Sequence, residues 1–347
     1  MAIIPGRDLV VVAASAGGVE SLRALLARLP GDLGAAVLVV LHISPHGGTA
    51  LAGILDRAGP LRAANAQDGE PLKHGRVYVA PADHHLLVTG ETVRLSRGPR
   101  HNGHRPAADP LFQSAALAGG PRTMAVVCSG TLDDGAQGSA VVERLGGAVA
   151  VQDPDESAFD GMPRAALAKT GKPHVGTVEQ IATWILRQSR TPVEVTAGGG
   201  PADPELERQV SLWLSSTGTG APQGRLSEFS CPECSGPLYE AGDGGGETRY
   251  ECLIGHTWSL EAMIDGQGAA VERALGIASL RLEQRIRVMD RMLISAEQRG
   301  RASSVRWFRE QGALDREALR TLRELQAKIG QSLSPAWDDG HREQLDR

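Results

Sequence analysis

The chain has 347 residues, with 36 Lys and Arg against 41 Asp and Glu for a net charge of −5. At roughly 100–200 residues per domain that length holds about two or three domains, and the charge balance excludes a chain-wide electrostatic footprint for nucleic acid. An apolar share of 41% with 22% charged residues excludes global disorder, and no apolar run approaches the 18 or so residues of a membrane span.

Aromatics make up only 3%, so the core must be built from Val, Leu, Ile and Ala. Four cysteines are too few and too unevenly spaced for a secreted disulfide scaffold. The N-terminus reads Met-Ala-Ile-Ile-Pro-Gly-Arg-Asp, without a basic segment followed by an apolar one. A cytoplasmic location is therefore expected.

In chain order, residues 9–14 form a continuous β-branched and small apolar run, as in a strand buried on both faces. A helix is predicted over 19–29, where Val19, Leu22, Leu25, Leu26 and Leu29 share helical spacing before Pro30 and Gly31. A strand over 35–41 and a helix over 49–57 follow. Strands are predicted over 76–80, 85–88 and 92–95, the last two divided by a hairpin-type turn at Thr89 and Gly90. Then come a helix over 110–118, a strand over 123–128, a helix over 136–145, a strand over 148–152, and helices over 163–169 and 178–188. This alternation over 1–190 predicts an α/β domain: a doubly wound, mainly parallel sheet with helices on both faces.

Residues 191–228 change to Gly- and Pro-rich linker composition, interrupted by a short helix over 204–214. A small Cys-bearing module occupies 229–265. A helical hairpin is expected over 266–332, joined around 300–304. Its apolar stripes are Val271, Leu275, Ala278, Leu282, Ile286, Met289 and Leu293 on one helix, and Leu314, Ala318, Leu322, Leu325 and Ile329 on the other. The remainder, 333–347, is a polar tail.

Three predicted parallel strands end in the residue types of a serine hydrolase. The first ends at Ser15, the second at His42, and a later one in Ser129-Gly-Thr-Leu-Asp-Asp-Gly135, which carries Asp133 and Asp134. In open α/β sheets the carboxyl ends of the strands converge on the ligand crevice. A serine hydroxyl is a weak nucleophile until a base takes its proton. Histidine is the base suited to neutral pH, and a buried carboxylate fixes its tautomer. Ser15 precedes a helix, whose N–H groups can stabilise an oxyanion. Gly17 and Gly18 would let a substrate chain approach the backbone. Taken singly, each residue has a commoner structural role: Ser15 as a helix N-cap, His42 as a structural histidine, Asp-Asp-Gly as a turn. The coincidence at three strand ends favours the joint reading.

Two familiar arrangements fail. A dinucleotide-binding turn wants G-x-G-x-x-G and an acidic residue about 20 positions on, whereas this chain reads Ala13-Ala-Ser-Ala-Gly-Gly18 and ends its second strand in histidine. An α/β-hydrolase wants G-x-S-x-G and the order Ser, acid, His; here the order is Ser, His, Asp.

The segment resembles the catalytic domain of the chemotaxis protein-glutamate methylesterases, the CheB family. The matching stretches are Ala14-Ser-Ala-Gly-Gly18, Leu41-His-Ile-Ser-Pro45, Asp68-Gly-Glu70, Val77-Tyr-Val-Ala-Pro81, His104-Arg-Pro106 with Asp109, Gly130-Thr-Leu-Asp-Asp-Gly-Ala136 and Gly161-Met-Pro-Arg164. They stand in the family's order and cover about 8–190. The resemblance places nucleophile, base and acid on Ser15, His42 and Asp134, with Asp133 where the family often has Asn. It implies hydrolysis of γ-glutamyl methyl esters on the cytoplasmic helices of methyl-accepting receptors, with release of methanol and no catalytic cofactor. Some members also deamidate glutamine. Backbone N–H groups near Ala16 and Thr131 would hold the oxyanion, with Gly17 and Arg105 on the substrate side. Arg105 would either meet acidic receptor residues or hold its own loop. His101 and His104 are expected at the surface or on the substrate side.

The sequence also departs from the family. The common form carries an N-terminal receiver domain. Here the first strand starts within ten residues of Met1, so a stand-alone form without that switch is expected. Ala16 stands where many members have Thr, and Ser44-Pro-His-Gly-Gly48 lacks bulkier apolar residues common after the histidine. These changes motivate two rivals: a serine hydrolase of the same fold acting on another ester or amide, and a non-catalytic scaffold binding receptor through the C-terminal helices.

Cys231, Cys234, Cys252 and His256 give C-x2-C-x17-C-x3-H. Two such pairs at this separation resemble a zinc ribbon. A module of under 40 residues with few apolar groups is too small to fold without a staple. Structural zinc held by all four residues is expected, with no open position for catalysis. Cys128 falls in a predicted core strand, where a thiol acts as a small apolar group. Residues 269–330 carry 13 Lys and Arg against 8 Asp and Glu, so an acidic partner is expected for the helical segment: the receptor, or the enzyme domain itself. Neither nucleic-acid binding nor membrane insertion is expected, and the oligomeric state is left open.

Overall fold

A computed structural model describes residues 2–4, 6–43, 50–195, 203–215, 222, 224–242 and 248–332. They divide into two compact units, Met1–Ala262 and Met263–Arg347.

In the first unit, β1 (Ala2–Ile4) pairs antiparallel with β11 (Val193–Val195). The main sheet has seven strands in the order β10 (His174–Gly176), β9 (Ala148–Gln152), β8 (Thr123–Val127), β2 (Leu9–Ala14), β3 (Ala36–Leu41), β5 (Arg76–Val79) and β4 (Arg62–Asn65). Every neighbouring pair is parallel. The central strands β2, β3 and β8 are buried throughout. That is why they read as unbroken apolar runs rather than alternating ones. From β2 the chain moves to β3 and outward; it later returns to the other side of β2 as β8. Strand order therefore reverses at β2, the place where open α/β sheets form their ligand crevice at the carboxyl ends.

Alternate residues of β2 feed two cores. Leu9, Val11 and Ala13 pack with Phe112 and Leu111 of α3 (Ala108–Gly119), Val142 of α4 (Ala136–Arg144), Ala166 of α5 (Gly161–Lys169) and the hairpin of β6 (His85–Thr89) and β7 (Thr92–Ser96). Val10, Val12 and Ala14 pack with Leu22 and Leu25 of α1 (Gly18–Leu26), Leu55 of α2 (Ala50–Asp56) and Ile181 and Ile185 of α6 (Val178–Gln188). The doubly wound α/β sheet matches the sequence expectation. Cys128 is buried in the second of these cores, as expected of a core thiol.

The stretch read as linker needs correction at its helix. α7 (Pro204–Leu214) sends Leu206, Val210 and Trp213 into the first core. Trp213 is fully buried, and its carbonyl accepts a hydrogen bond from Ser96 Oγ at 2.5 Å. Three apolar residues at helical spacing make it a core helix, although its flanks have linker composition. The flanks themselves (196–202, 216–221 and 223) lie outside the described residues, as do the loop 44–49 and the tail 333–347.

The Cys module is a four-stranded antiparallel sheet of β12 (Arg225–Ser230), β13 (Pro237–Gly242), β14 (Thr248–Cys252) and β15 (Thr257–Trp258), in that order. It belongs to the first unit. Arg208 of α7 pairs with the buried Glu251 at 3.1 Å, and Arg249 with Glu205 of α7 at 3.0 Å.

The second unit is a pair of long antiparallel helices, α8 (Leu260–Gln298), which starts in the first unit, and α9 (Ala302–Ser332). Ser279 bonds Gln326 at 3.1 Å, Arg285 pairs with Asp315 at 2.8 Å, and Arg316 with Asp290 at 3.0 Å. On α9 the seam is rotated from the predicted stripe. Leu314, Ala318 and Leu325 are exposed, while Gly312, Asp315 and Leu319 are buried. Polar pairs help to build this seam, so apolar spacing alone could not locate it. Val271 on α8 is likewise exposed.

Candidate active site

Register in the sheet brings the predicted residues together. The N–H of His42 donates to the Ala14 carbonyl at 3.1 Å, and that of Ser15 to the Ser129 carbonyl at 2.9 Å. The ladder thus continues one step past the strands and holds Ser15 between His42 and Ser129. Ser15 Oγ lies 3.2 Å from His42 Nδ1, and His42 Nε2 lies 2.6 Å from Asp134 Oδ2. Serine, histidine and aspartate form one chain of hydrogen bonds. The bond to Asp134 keeps the proton on Nε2, which leaves Nδ1 free to accept the Ser15 proton. The side chains of His42 and Asp134 are 7% and 3% exposed, so water barely screens the pair.

Asp134 is fixed from behind by a helix N-terminus. Its Oδ2 accepts the N–H of Ala108 at 2.6 Å, and its Oδ1 the N–H of Asp109 at 3.0 Å, both in the first turn of α3. Asp109 returns the arrangement: its Oδ1 accepts the N–H groups of Gly135 and Gly138 at 3.1 and 2.6 Å, at the start of α4. Each carboxylate caps the other's helix, where orphan N–H groups and the helix dipole favour negative charge. A side chain at Gly138 would stand 2.5 Å from Phe112 Cβ and 3.0 Å from Asp109 Oδ1, so only glycine permits this approach. Burial would raise the Asp134 pKa. The hydrogen bond and charge of His42, the charge of His101 and the Ala108 N–H together hold it far below the usual carboxylate range.

Two further histidines complete the surroundings: His104 is half-buried beside His42, and His101 is buried, away from the surface expected for it. His104 stacks flat on His42, with ring centroids 4.0 Å apart. Burial, reinforced by His42, pushes the His104 pKa down to about 4; the ring is neutral at physiological pH and does not repel a charged His42. His101 is buried, with Nε2 3.0 Å from Asp109 Oδ2 and Nδ1 2.7 Å from Thr257 Oγ1. Burial opposes charge on His101, but the bond to Asp109 and the charges of Asp109 and Asp134 raise its pKa. His101, Asp109 and Asp134 also lie close enough together to hold a cation. Both carboxylates are already occupied by backbone N–H groups and histidines, an arrangement that serves orientation.

Asp133 does not join the chain. Its pKa is pushed up to about 6 by burial, and by the nearby charges of Asp109, Glu261 and Asp134, against a hydrogen bond from Ser259.

The remaining sequence-derived residues fall as follows. Ala16 lies between Ser15 and α1, and its carbonyl accepts from Ser129 Oγ at 2.8 Å. Thr131 is exposed on the loop that Gly130 presses against Ser15; a Cβ on Gly130 would lie 2.9 Å from Ser15 Cβ. The expectation for Gly17 and Gly18 is corrected. The space they leave is filled by the chain itself: Ala158 and Ser129 over Gly17, Ala14 and Leu41 over Gly18. Gly17 also takes a left-handed φ of 71° at the start of α1. Arg105 is bonded to Asp83 Oδ1 through Nε and Nη2 at 3.0 and 2.6 Å, and to the carbonyls of Arg97 and Gly98 through Nη1. This is the loop-holding alternative. Burial opposes ionisation of Asp83, but Arg97 and Arg105 bring its pKa down to about 2. Ser44 to Gly48 lie outside the described residues.

At the Cys module, Cys231 Sγ and Cys252 Sγ each lie 3.6 Å from His256 Nδ1, and Cys234 Sγ lies 3.7 Å from Cys252 Sγ. All three cysteines are free thiols. Tetrahedral zinc with ordinary bond lengths sets its ligand atoms about 3.6–3.8 Å apart. The donor set and its spacing fit that ion. No described helix is long and apolar enough to cross a membrane.

Residues 10–185 match the sequence model of the family described as CheB methylesterase. The chain belongs to the CheB methylesterase family. It is 36% identical over 213 residues to the protein-glutamate methylesterase/protein-glutamine glutaminase of Pyrococcus horikoshii, covering 60% of this chain and 56% of that one. It is 40% identical over 190 residues to a third such protein of Anaeromyxobacter dehalogenans, over 53% and 56% of the two chains. A putative protein of the same name from Leptospira interrogans is 32% identical over 188 residues, 54% of this chain and 97% of its own. The crystal structure of the Thermotoga maritima CheB methylesterase catalytic domain superposes with a TM-score of 0.50 at 31% identity, over 53% of this chain and 99% of that one. Except for the Leptospira protein, these curated CheB relatives are spanned over about half their length.

Strand-end position points to Ser15, His42 and Asp134, which the fold brings together, but not to Asp109 or Thr257. Asp109 stands in one of the family-matching stretches and three residues after Pro106 at the start of a helix, but nothing in the sequence names its partners. Nothing in the sequence links 257 to the strand ends, because a two-residue strand makes that link.

Proposed function

We propose that the chain is a serine-type protein-glutamate methylesterase. It hydrolyses γ-glutamyl methyl esters on the cytoplasmic helices of methyl-accepting chemotaxis receptors and releases methanol. The observation that carries this reading is the hydrogen-bonded chain from Ser15 through His42 to Asp134 at the carboxyl edge of the sheet.

Ser15 Oγ attacks the ester carbonyl as its proton passes to His42 Nδ1. The resulting imidazolium is stabilised by Asp134, which stays ionised. Backbone N–H groups at Ala16 and Thr131 receive the oxyanion. His42 then returns the proton to the departing methoxide. Water, deprotonated by the same nitrogen, hydrolyses the acyl-enzyme. No cofactor is needed for these steps. Zinc at Cys231, Cys234, Cys252 and His256 would serve structure: its four positions are filled by protein, and it would supply the fold energy that a small module lacks.

A second activity, deamidation of receptor glutamine, is favoured by the names of the relatives and uses the same acyl-enzyme chemistry. The test is methanol release from a methylated receptor cytoplasmic fragment by the full chain. Wild-type protein is expected to release methanol. Ser15→Ala is expected to lower the rate by ~10⁴-fold or more with folding retained. A folded Ser15→Ala protein with wild-type activity would refute the triad. Turnover of simple esters without methanol release would favour a different ester or amide, and no turnover of any ester would favour a scaffold.

A further inference from the structure

The Cys module ends against the catalytic residues. Strand β15 pairs with the loop 100–104: the N–H of Asn102 donates to the Thr257 carbonyl at 2.8 Å, and the N–H of Thr257 to the Arg100 carbonyl at 3.2 Å. The N–H of Ser259 donates to Asn102 Oδ1 at 2.9 Å. Gly103 lies so close to the Trp258 ring that a Cβ there would stand 3.2 Å from it. Arg100 faces Glu233, inside the first Cys pair, at 3.5 Å. This contact delivers one side chain inward. Thr257, fully buried, puts its hydroxyl 2.7 Å from His101 Nδ1. The other nitrogen of that ring meets Asp109 at 3.0 Å and stands 3.9 Å from Asp134 Oδ1.

We propose that the Cys module is a working part of the esterase site, in which Thr257 and His101 are positioning residues that hold the Asp109 and Asp134 carboxylates behind His42. The inference rests on the triad reading above.

Three observations carry it. First, the chain of contacts is unbroken and buried: Thr257, His101, Asp109 and Asp134 are each at most 5% exposed. Second, Asp109 and Asp134 cap each other's helices, so a shift in one moves the other. Third, Thr257 directly follows His256. The turn that would present His256 to a metal also presents Thr257 to His101, and it is closed by Cys252 N–H on the His256 carbonyl at 3.1 Å and Gly255 N–H on the Cys252 carbonyl at 2.8 Å. A two-residue strand has little hold of its own. Its place depends on the turn, and the turn has metal-type ligands at both ends. Removing zinc would therefore loosen the support of the catalytic acid, although no ligand lies in the active site.

The test uses the full-length, zinc-loaded chain and two readouts: the rate at which a fluorophosphonate labels Ser15, and steady-state hydrolysis of a methylated receptor fragment. Thr257→Val keeps the shape and removes the hydroxyl; Thr257→Ser keeps the hydroxyl. Thr257→Val is expected to slow labelling and kcat by about tenfold or more, the cost of leaving one buried hydrogen-bonding group without its partner. KM and bound zinc should not change, and Thr257→Ser should restore the rate. Labelling of Thr257→Val at the wild-type rate, or a Thr257→Ser variant as slow as Thr257→Val, overturns the proposal. If Thr257→Val sheds its zinc, His101→Phe keeps a ring and removes the same hydrogen bond from the other side, away from the metal ligands. Slower labelling then supports the proposal and wild-type labelling overturns it. Wild-type protein that takes no label at Ser15 would instead refute the triad reading, and this inference with it.

Discussion

At the residue scale, the two adjacent aspartates of the Asp-Asp-Gly turn have opposite electrostatic fates. Asp134 collects two backbone N–H groups and His42 and stays ionised. Asp133, one residue away, is partly buried beside like charges, and its pKa rises to about 6. A carboxyl whose folded pKa lies above its unfolded value binds protons more tightly when folded. Its contribution to stability is then fully present below about pH 4 and is lost as pH climbs through about 6. Asp133→Asn is therefore expected to stabilise the protein by about 1–3 kcal/mol at pH 8 and to make no difference at pH 4. Urea unfolding at the two pH values measures this; an equal effect at both would contradict it. The turn itself was legible as chemistry, but which aspartate takes part depends on the α3 N-terminus, brought there by tertiary packing. Ser15 and His42 were legible because each directly ends a buried strand. Arg105 was not, since its partner Asp83 lies on the far side of a hairpin in the chain.

At the element scale, long buried segments announced themselves and short edge ones did not. Leu9–Ala14 has the predicted bounds, because six apolar residues in a row admit few alternatives. Strands β4 and β10 were missed: four residues with one buried, and three residues at an edge, carry too little pattern to separate from loop. The module's β15, with two residues, had no readable pattern at all. Helix α7 was seen, but composition on either side hid its role. Its Trp213 is completely buried. Trp213→Ala is expected to destabilise the first unit by about 3–5 kcal/mol. A change below about 1 kcal/mol in denaturant unfolding would show α7 to be a passenger on the core. On α9, sequence spacing placed Leu314 and Leu325 inward, while the structure puts Asp315 and Leu319 there. Partners such as Arg285, 30 residues away, decide that choice.

At the whole-molecule scale, the net charge of −5 averages an acidic first segment and a basic helical one. The helices of the second unit meet through cross-helix pairs and a thin seam, and large apolar side chains such as Ile277, Met292 and Trp307 remain exposed. The Cys module changes the account most. Spacing alone points to a candidate metal site; the fold adds its neighbour, a buried route from Thr257 through His101 to Asp109 and Asp134. Domain order in the sequence could not disclose this, because 101 and 257 meet only when the chain has folded. The central claim, that Ser15 is an activated nucleophile, has a direct measurement: fluorophosphonate labelling of the intact chain with the modified residue mapped by peptide mass spectrometry. One label per chain is expected, on Ser15, lost in His42→Ala. A label on Ser129 or Ser139 instead, or no label on protein that is folded, would contradict it.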